Sequence, residues 1–222
     1  KTANAGDFAR SFTFISPTLG IANSIAFGAE RLKSRFCSTI QPFVKAKLFL
    51  YLQPKNNQYK IEDISDIEPN DFIRNSINTI NLSYFFVDIL TNSYLQRDEY
   101  KSYYYLLSYS LEILKEKGDL KKSFLFFVVK YLLLSGYSFD LVSCIGCGRQ
   151  SPNYYFDVAN GGVACPECAK FKKYPITQME SSLLKNFFDK RYLLLKEFLV
   201  SQVEISNIVN ILLYALEKIF DK

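Results

Sequence analysis

Apolar positions along the chain change their spacing once, near residue 70, and the change separates two kinds of structure. Ahead of it, short runs of aromatic and β-branched residues are broken by turn formers. Phe8, Phe12, Phe14 and Ile15 lead into Ser16-Pro17-Thr18-Leu19-Gly20, and residues 21–27 resume the apolar run before Gly28. Such runs suit a pleated surface and Pro and Gly end it, so a hairpin is expected here. Residues 44–52 and 59–64, around Pro54-Lys55-Asn56-Asn57, predict a second pair. Several short antiparallel strands in this span point to a small β-barrel. Beyond residue 70, Phe72, Ile73, Ile77, Ile80, Tyr84, Val87 and Leu90 recur at three- and four-residue steps, the spacing of one helical face. A second helix is expected over 98–117, ended by Gly118, and a third runs from its Asp119 cap to Ser135 with Gly136 as its stop. Thr177-Gln-Met-Glu180 and Ser201-Gln-Val-Glu204 read as capping boxes, the second opening a helix that reaches about Phe220. The fold class is α+β: a small β-barrel over 1–68 and an all-α domain over 69–222. The acidic stretch Glu62, Asp63, Asp66 and Glu68 marks the boundary.

An insertion interrupts the helical part. Cys144-Ile-Gly-Cys147 and Cys165-Pro-Glu-Cys168 stand seventeen residues apart in a chain without histidine. Two C-x-x-C turns supply the four soft ligands of tetrahedral Zn²⁺ with no other residue, which makes 144–168 a zinc module. Gly146 and Gly148 let the first turn fold tightly, and Gly161-Gly162 permits a reversal between the pairs. Four protein ligands leave no position for water, so the metal is structural. Two disulfides would suit a secreted chain, a thioredoxin site would use one pair, and a zinc deaminase would need an H-x-E or C-x-E element that is missing. An iron–sulfur cluster shares the Cys₄ donor set.

Charge adds a second asymmetry. The net charge is +5, but residues 1–60 hold nine Lys or Arg (Lys1, Arg10, Arg31, Lys33, Arg35, Lys45, Lys47, Lys55, Lys60) against Asp7 and Glu30. A basic β-domain ahead of a near-neutral helical one is the footprint of a polyanion binder, most often nucleic acid. A solvated basic face with no partner is the plain alternative. The strongest apolar run, 124–134, is eleven residues interrupted by Lys130, short of the ~20 needed to cross a bilayer. No nucleophile with a base, phosphate-cradling glycine loop or acidic metal site is present, so the sequence gives no support for an enzyme.

The run Gly28-Ala29-Glu30-Arg31-Leu32-Lys33-Ser34-Arg35-Phe36, followed by Ile40-Gln41-Pro42-Phe43, resembles the "KGARRPKSR…LQPF" segment of the bacterial recombination mediator family RecO. Gly136-Tyr137 with Asp140-Leu141 before Cys144-x-x-Cys147-Gly148 is similar to that family's "GY…DL…CxxCG". Phe156-Asp157 and Gly161-Gly162-Val163-x-Cys165-x-x-Cys168 are similar to its "F…GG…CxxC". The resemblance implies an N-terminal OB-fold and a helical C-terminal domain with a zinc module. It also implies binding of single- and double-stranded DNA, annealing of complementary strands, loading of RecA together with RecR and single-stranded-DNA-binding protein, and a cytoplasmic, nucleoid-associated location. Glu30 departs from the basic or neutral residue usual there, and the first OB strand would lie mostly before Lys1.

Arg31, Lys33 and Arg35 alternate, so in an extended segment they would face one side and meet a phosphate backbone. Arg10, Lys45 and Lys47 are the supporting DNA contacts. Phe12 and Phe27 are expected in the barrel core, with base stacking as the alternative if either faces outward. Cys37 reads as a free thiol. Tyr103, Tyr104 and Tyr105 fan over different helix faces. Lys121, Lys122 and Lys130, beside the apolar run, are candidates to receive the acidic, hydrophobic tail of single-stranded-DNA-binding protein, as the family's behaviour implies. A rival function of another class is a zinc-stapled scaffold whose basic domain binds an acidic protein surface instead of DNA.

Overall fold

The computed structural model describes residues 2–220 except 7, 32, 56, 118 and 190–201. The chain divides into two compact units, Lys1–Tyr105 and Leu106–Lys222. The architecture is α+β.

The first unit opens with five strands, β1 Thr2–Asn4, β2 Ala9–Ser16, β3 Gly20–Phe27, β4 Lys45–Gln53 and β5 Gln58–Glu68, with helix α1 Arg35–Thr39 between β3 and β4. The sheet order is β1-β2-β3-β5-β4, with β3 and β5 parallel and the other ladders antiparallel. Both expected hairpins form: Phe12 lies opposite Ser24, and Tyr51 opposite Lys60. Gly20 closes the first with φ +64°. Period-2 alternation sends Phe12, Ala26 and Ile61 inward, where Ala29 and Ile40 join them and Phe14, Phe36, Leu48, Leu50 and Ile64 pack around them. Ser34 caps α1 by accepting the Phe36 N–H.

Two expectations change here, the closed barrel and the extended basic segment. The described strands do not close into a barrel, because β1 spans three residues and no ladder joins it to β4. The acidic residues Glu62 to Glu68 form the last part of β5, which ends at Glu68 opposite Lys45 and ahead of Pro69 and Asn70. The described residues on either side of position 32 form turns and not an extended strand: the Arg31 N–H donates to the Gly28 carbonyl, the Ser34 N–H to that of Arg31 and the Cys37 N–H to that of Ser34. Gly28 initiates the turns with φ +75°. Hydrogen bonding within the segment therefore replaces the ladder that would have kept Arg31, Lys33 and Arg35 on one side.

Helix α2 Ile77–Thr91 follows a 3-10 turn at Asp71–Asn75, and α3 Tyr100–Lys117 follows another at Arg97–Glu99, with the division between units falling inside α3. The second unit is built on α4 Leu120–Leu134, capped as expected by Asp119, which accepts the Lys122 N–H. Residues 123–129, Tyr131 and Leu132 of α4 are all buried. Against α4 pack α5 Gln178–Asp189 and α6 Gln202–Phe220. Gly136, at φ +79°, ends α4 as the Tyr137 N–H reaches back to the Leu132 carbonyl. Between α4 and α5 lies a four-stranded sheet, β6 Asp140–Cys144, β7 Asn153–Asp157, β8 Gly162–Ala164 and β9 Pro175–Thr177, in the order β6-β8-β7-β9. The Thr177–Glu180 capping box forms in both directions: Thr177 Oγ1 accepts the Glu180 N–H at 3.2 Å and Glu180 Oε2 accepts the Thr177 N–H at 2.8 Å. The box expected at Ser201 and the stop at Gly118 lie outside the described residues. No helix among the described residues is long and apolar enough to cross a membrane.

Gly20 gives the test of the first hairpin. A Cβ there would stand 2.6 Å from the Tyr100 ring, on a backbone that L side chains rarely adopt. Gly20→Ala is expected to lower stability by about 1–3 kcal/mol in urea unfolding, from overpacking and the positive φ together.

Candidate functional site

The metal site follows from one ladder. β6 and β8 run parallel with Cys144 opposite Val163, so each strand delivers its cysteine pair at the same end of the sheet. The four sulfurs of Cys144, Cys147, Cys165 and Cys168 lie within 4.8 Å of one another, and those of Cys147 and Cys165 are 3.9 Å apart. Thiolates about 2.3 Å from one zinc in a tetrahedron stand about 3.8 Å apart, so the residues fit the ion. Glycine is required at 146, where a Cβ would come 2.9 Å from the Cys168 Cβ. It is required at 162 as well, where a Cβ would come 2.5 Å from the Asp140 carbonyl oxygen. The buried Tyr154 hydroxyl accepts the Ser151 N–H and donates to the Val142 carbonyl, tying β7 to β6.

Electrostatics separate the four thiols. Burial pushes Cys144 up, but the N–H groups of Cys165, Cys147 and Gly146 outweigh it and hold the thiol down at about 6. The amides of Cys165 and Gly146 stand 3.3 Å and 3.4 Å from that sulfur. Hydrogen bonding from Arg149 lowers Cys147. Hydrogen bonding to Glu167, with burial, raises Cys165 to about 12.

The cations predicted for DNA contact fall into two groups. Arg10 is a strut: its Nε donates to Glu30 at 2.8 Å and its Nη1 to the Ile40 carbonyl at 2.9 Å, with the side chain 16% exposed. The unusual Glu30 is thus Arg10's partner, and the Arg10 hydrogen bond lowers its carboxyl pKa. Arg35 pairs with Asp63 at 2.9 Å and Lys45 with Glu68 at 3.2 Å. Arg31, Lys33 and Lys47 are exposed and form no ion pair with a described acid. Because β5 returns four acids to the sheet, residues 1–68 hold nine cations against six acids, a milder excess than 1–60 suggests.

Aromatic residues give this surface its character. Phe12 is in the core as expected, but Phe27 is 58% exposed, a correction to its core placement: it pairs with Ala9 at the end of β3, two positions beyond Ile25 on the outward face. Phe49 and Tyr51 on β4 are also exposed. Lys60 Nζ lies 4.9 Å over the Phe27 ring, Lys47 Nζ 5.2 Å over Phe49, and the Arg31 guanidinium 5.1 Å over Phe8. Phe8 carries φ +61°, strain that a bulky side chain rarely bears. Sequence reasoning missed Phe8, Phe49, Tyr51 and Lys60. The signal for two of them was there: Phe49 and Tyr51 continue the alternation of Lys45 and Lys47 with Ala46, Leu48 and Leu50, so they share the outward face of β4.

On α4, Lys121 Nζ donates to Ser206 Oγ of α6 at 2.9 Å, Lys122 pairs with Asp119, and burial lowers the Lys130 pKa. The apolar run beside them is the core of the second unit. Cys37 is a free thiol of intermediate exposure. Tyr103 is buried and Tyr105 exposed, as the expected fan requires.

Residues 74–218 match the family model described as "Recombination protein O C terminal". Over 185 residues the chain is 25% identical to the DNA repair protein RecO of Caldanaerobacter subterraneus subsp. tengcongensis, covering 80% of this chain and 74% of that protein. It is 26% identical over 204 residues to that of a Thermoanaerobacter species (89% and 80% covered). It is 27% identical over 215 residues to that of Oceanobacillus iheyensis (95% and 77%).

The metal site has a direct test. Cys147→Ser removes one of four ligands, so metal analysis is expected to find the bound metal lost and thermal melting to shift downward. Each thiol must shed its proton to ligate, so metal affinity in the unsubstituted chain weakens as pH falls, readable by competition with a chelator.

Proposed function

We propose, on the premise that the chain belongs to the recombination protein O (RecO) family of DNA repair proteins, that it acts without catalysis as a DNA-binding mediator through the outward face of its five-stranded sheet. The observation that carries this reading is the alternation of exposed aromatic rings and cations on that face: Phe27 with Lys60, and Phe49 with Lys47 beside Tyr51. A base stacked on such a ring contributes about 1–3 kcal/mol whatever its identity, and each neutralised phosphate releases a counterion. A surface of that kind suits single strands without sequence preference. It takes duplex DNA through phosphates alone.

The strand order β1-β2-β3-β5-β4, with the parallel β3–β5 ladder, supports an OB-type sheet left open between β1 and β4. Within this reading residues 1–68 form the DNA-binding domain and 69–222 the helical domain. Arg31, Lys33 and Lys47 contact phosphates with Lys60, while Arg10, Arg35 and Lys45 shape the surface through their acids. Binding two complementary strands lowers their mutual repulsion and favours annealing. Loading RecA together with RecR and single-stranded-DNA-binding protein, in the cytoplasm at the nucleoid, belongs to the same proposal. The Cys₄ site holds zinc, which ties β6 to β8 and takes no part in DNA chemistry; metal analysis distinguishes it from iron.

Annealing of complementary oligonucleotides is the test. The protein is expected to accelerate it, with affinity falling steeply between low and moderate salt. DNA binding that is absent or insensitive to salt would sink the proposal and favour the acidic-protein scaffold. Lys33→Glu and Lys60→Glu are each expected to weaken binding and lower the salt slope by about one phosphate contact or more, with circular dichroism unchanged.

A further inference from the structure

The segment that follows the second cysteine pair is built to present one aromatic ring among cations. It is fixed at both ends. Cys168 belongs to the four-sulfur cluster. The Tyr174 carbonyl accepts the Phe156 N–H at 2.9 Å, and the Tyr174 ring stacks on Tyr214 of α6 at 3.8 Å. Between these anchors Lys170, Phe171, Lys172 and Lys173 are all exposed, and Phe171 is 77% exposed. Lys173 Nζ leans over Tyr174 at 5.2 Å. No ion pair holds Lys170 or Lys172 among the described residues. Across 145–175 four cations face two acids, and one of those, Asp157, is engaged by Asn160. Hydrating a whole Phe side chain forgoes the stabilisation its burial would bring, and a loop pinned at both ends does not expose it through slack.

We propose that this loop is a second single-stranded nucleic-acid contact, separate from the sheet face, in which Phe171 stacks a base and Lys170 and Lys172 meet the flanking phosphates. Lys170 and Lys172 flank Phe171, and the backbone bends at Lys170, so the three side chains are not held to the strict alternation of a strand. A ring between cations fits stacked bases on a polyanion better than it fits a purely acidic peptide, which offers no face to the ring. The proposal rests on the chain being a DNA binder, and its test separates the two.

The chain contains no tryptophan, so Phe171→Trp and, in a separate protein, Phe49→Trp each install a lone fluorophore at an exposed position. Titration with a thymidine homopolymer is expected to quench both. In the Phe171→Trp protein, Lys170→Gln with Lys172→Gln is expected to reduce the slope of log affinity against log salt by about 1.4, the loss of two single-strand phosphate contacts. Replacing Trp by Ala at 171, read by the loop's photocrosslinking to a halogenated thymidine oligonucleotide, is expected to weaken capture about 5- to 150-fold, the range of one lost stack. Quenching at 49 but not at 171 overturns this inference and leaves the sheet reading standing. Quenching at 171 alone upholds it against the sheet reading, and quenching at neither overturns both. A blue shift at 171 with poly-glutamate and no response to the oligonucleotide assigns the loop to an acidic protein and also overturns it.

Discussion

Each sheet contains one parallel ladder, and each parallel ladder makes the juxtaposition on which a site depends. In the first sheet β3 runs beside β5, which sets Ile25 against Lys60 and so brings Lys60 over the ring of Phe27 two residues farther along β3. In the second, β6 runs beside β8, which brings both cysteine turns to one end and four sulfurs within 4.8 Å. Antiparallel hairpins alone would send consecutive strand ends to opposite edges. A parallel pair needs a crossover connection, and both crossovers here are long: residues 28–57 in one unit and 145–161 in the other.

That geometry explains which features the sequence disclosed. Local pairings were legible because their turns are written in adjacent residues: Ser16 to Gly20 for β2–β3, Pro54 to Asn57 for β4–β5, and Thr177 with Glu180 for the start of α5. The clustering of the four cysteines was legible too, since ligand chemistry marks cysteine regardless of path. The outward position of Phe27 was not. Its strand neighbours Ile25 and Ala26 are both apolar, so no alternation told one face from the other, and the parallel partner that settles it lies more than thirty residues on. The turns at Gly28–Arg31 and at Ser34 were hidden for the opposite reason: alternating cations imitate a strand, while the hydrogen bonds that fold them are made by backbone groups no side chain announces.

Electrostatics of the sheet likewise depend on pairing more than on composition. Reading 1–60 alone counts every cation as available. Once β5 is paired, Arg35 and Lys45 have carboxylate partners, and Arg10 is held between Glu30 and a carbonyl. The exposed pairs contribute little to stability. With the Arg10–Glu30 pair they engage three cations, one of which, Arg35, also lies over the Phe36 ring, while Arg31, Lys47 and Lys60 sit over rings without a described acid partner. The surface is then defined by rings with charges above them, a different specification from a uniform basic patch.

The same reasoning bears on what a structural metal accomplishes. The second sheet has strands of three to five residues and a core of Leu141, Tyr154, Phe156, Val163 and Ile176, too little apolar area to hold long connections rigidly. Four thiolates on one ion fix two chain turns without any side-chain packing. The first turn carries Arg149, and the second leads directly into Lys170 to Lys173 before Tyr174 re-enters the packed unit. Rigid turns next to exposed groups keep those groups in one arrangement at low conformational cost, so that a ligand meeting them pays little to order them. A four-cysteine cluster, closed to a reacting molecule once an ion fills it, would therefore still decide where the neighbouring loop is held.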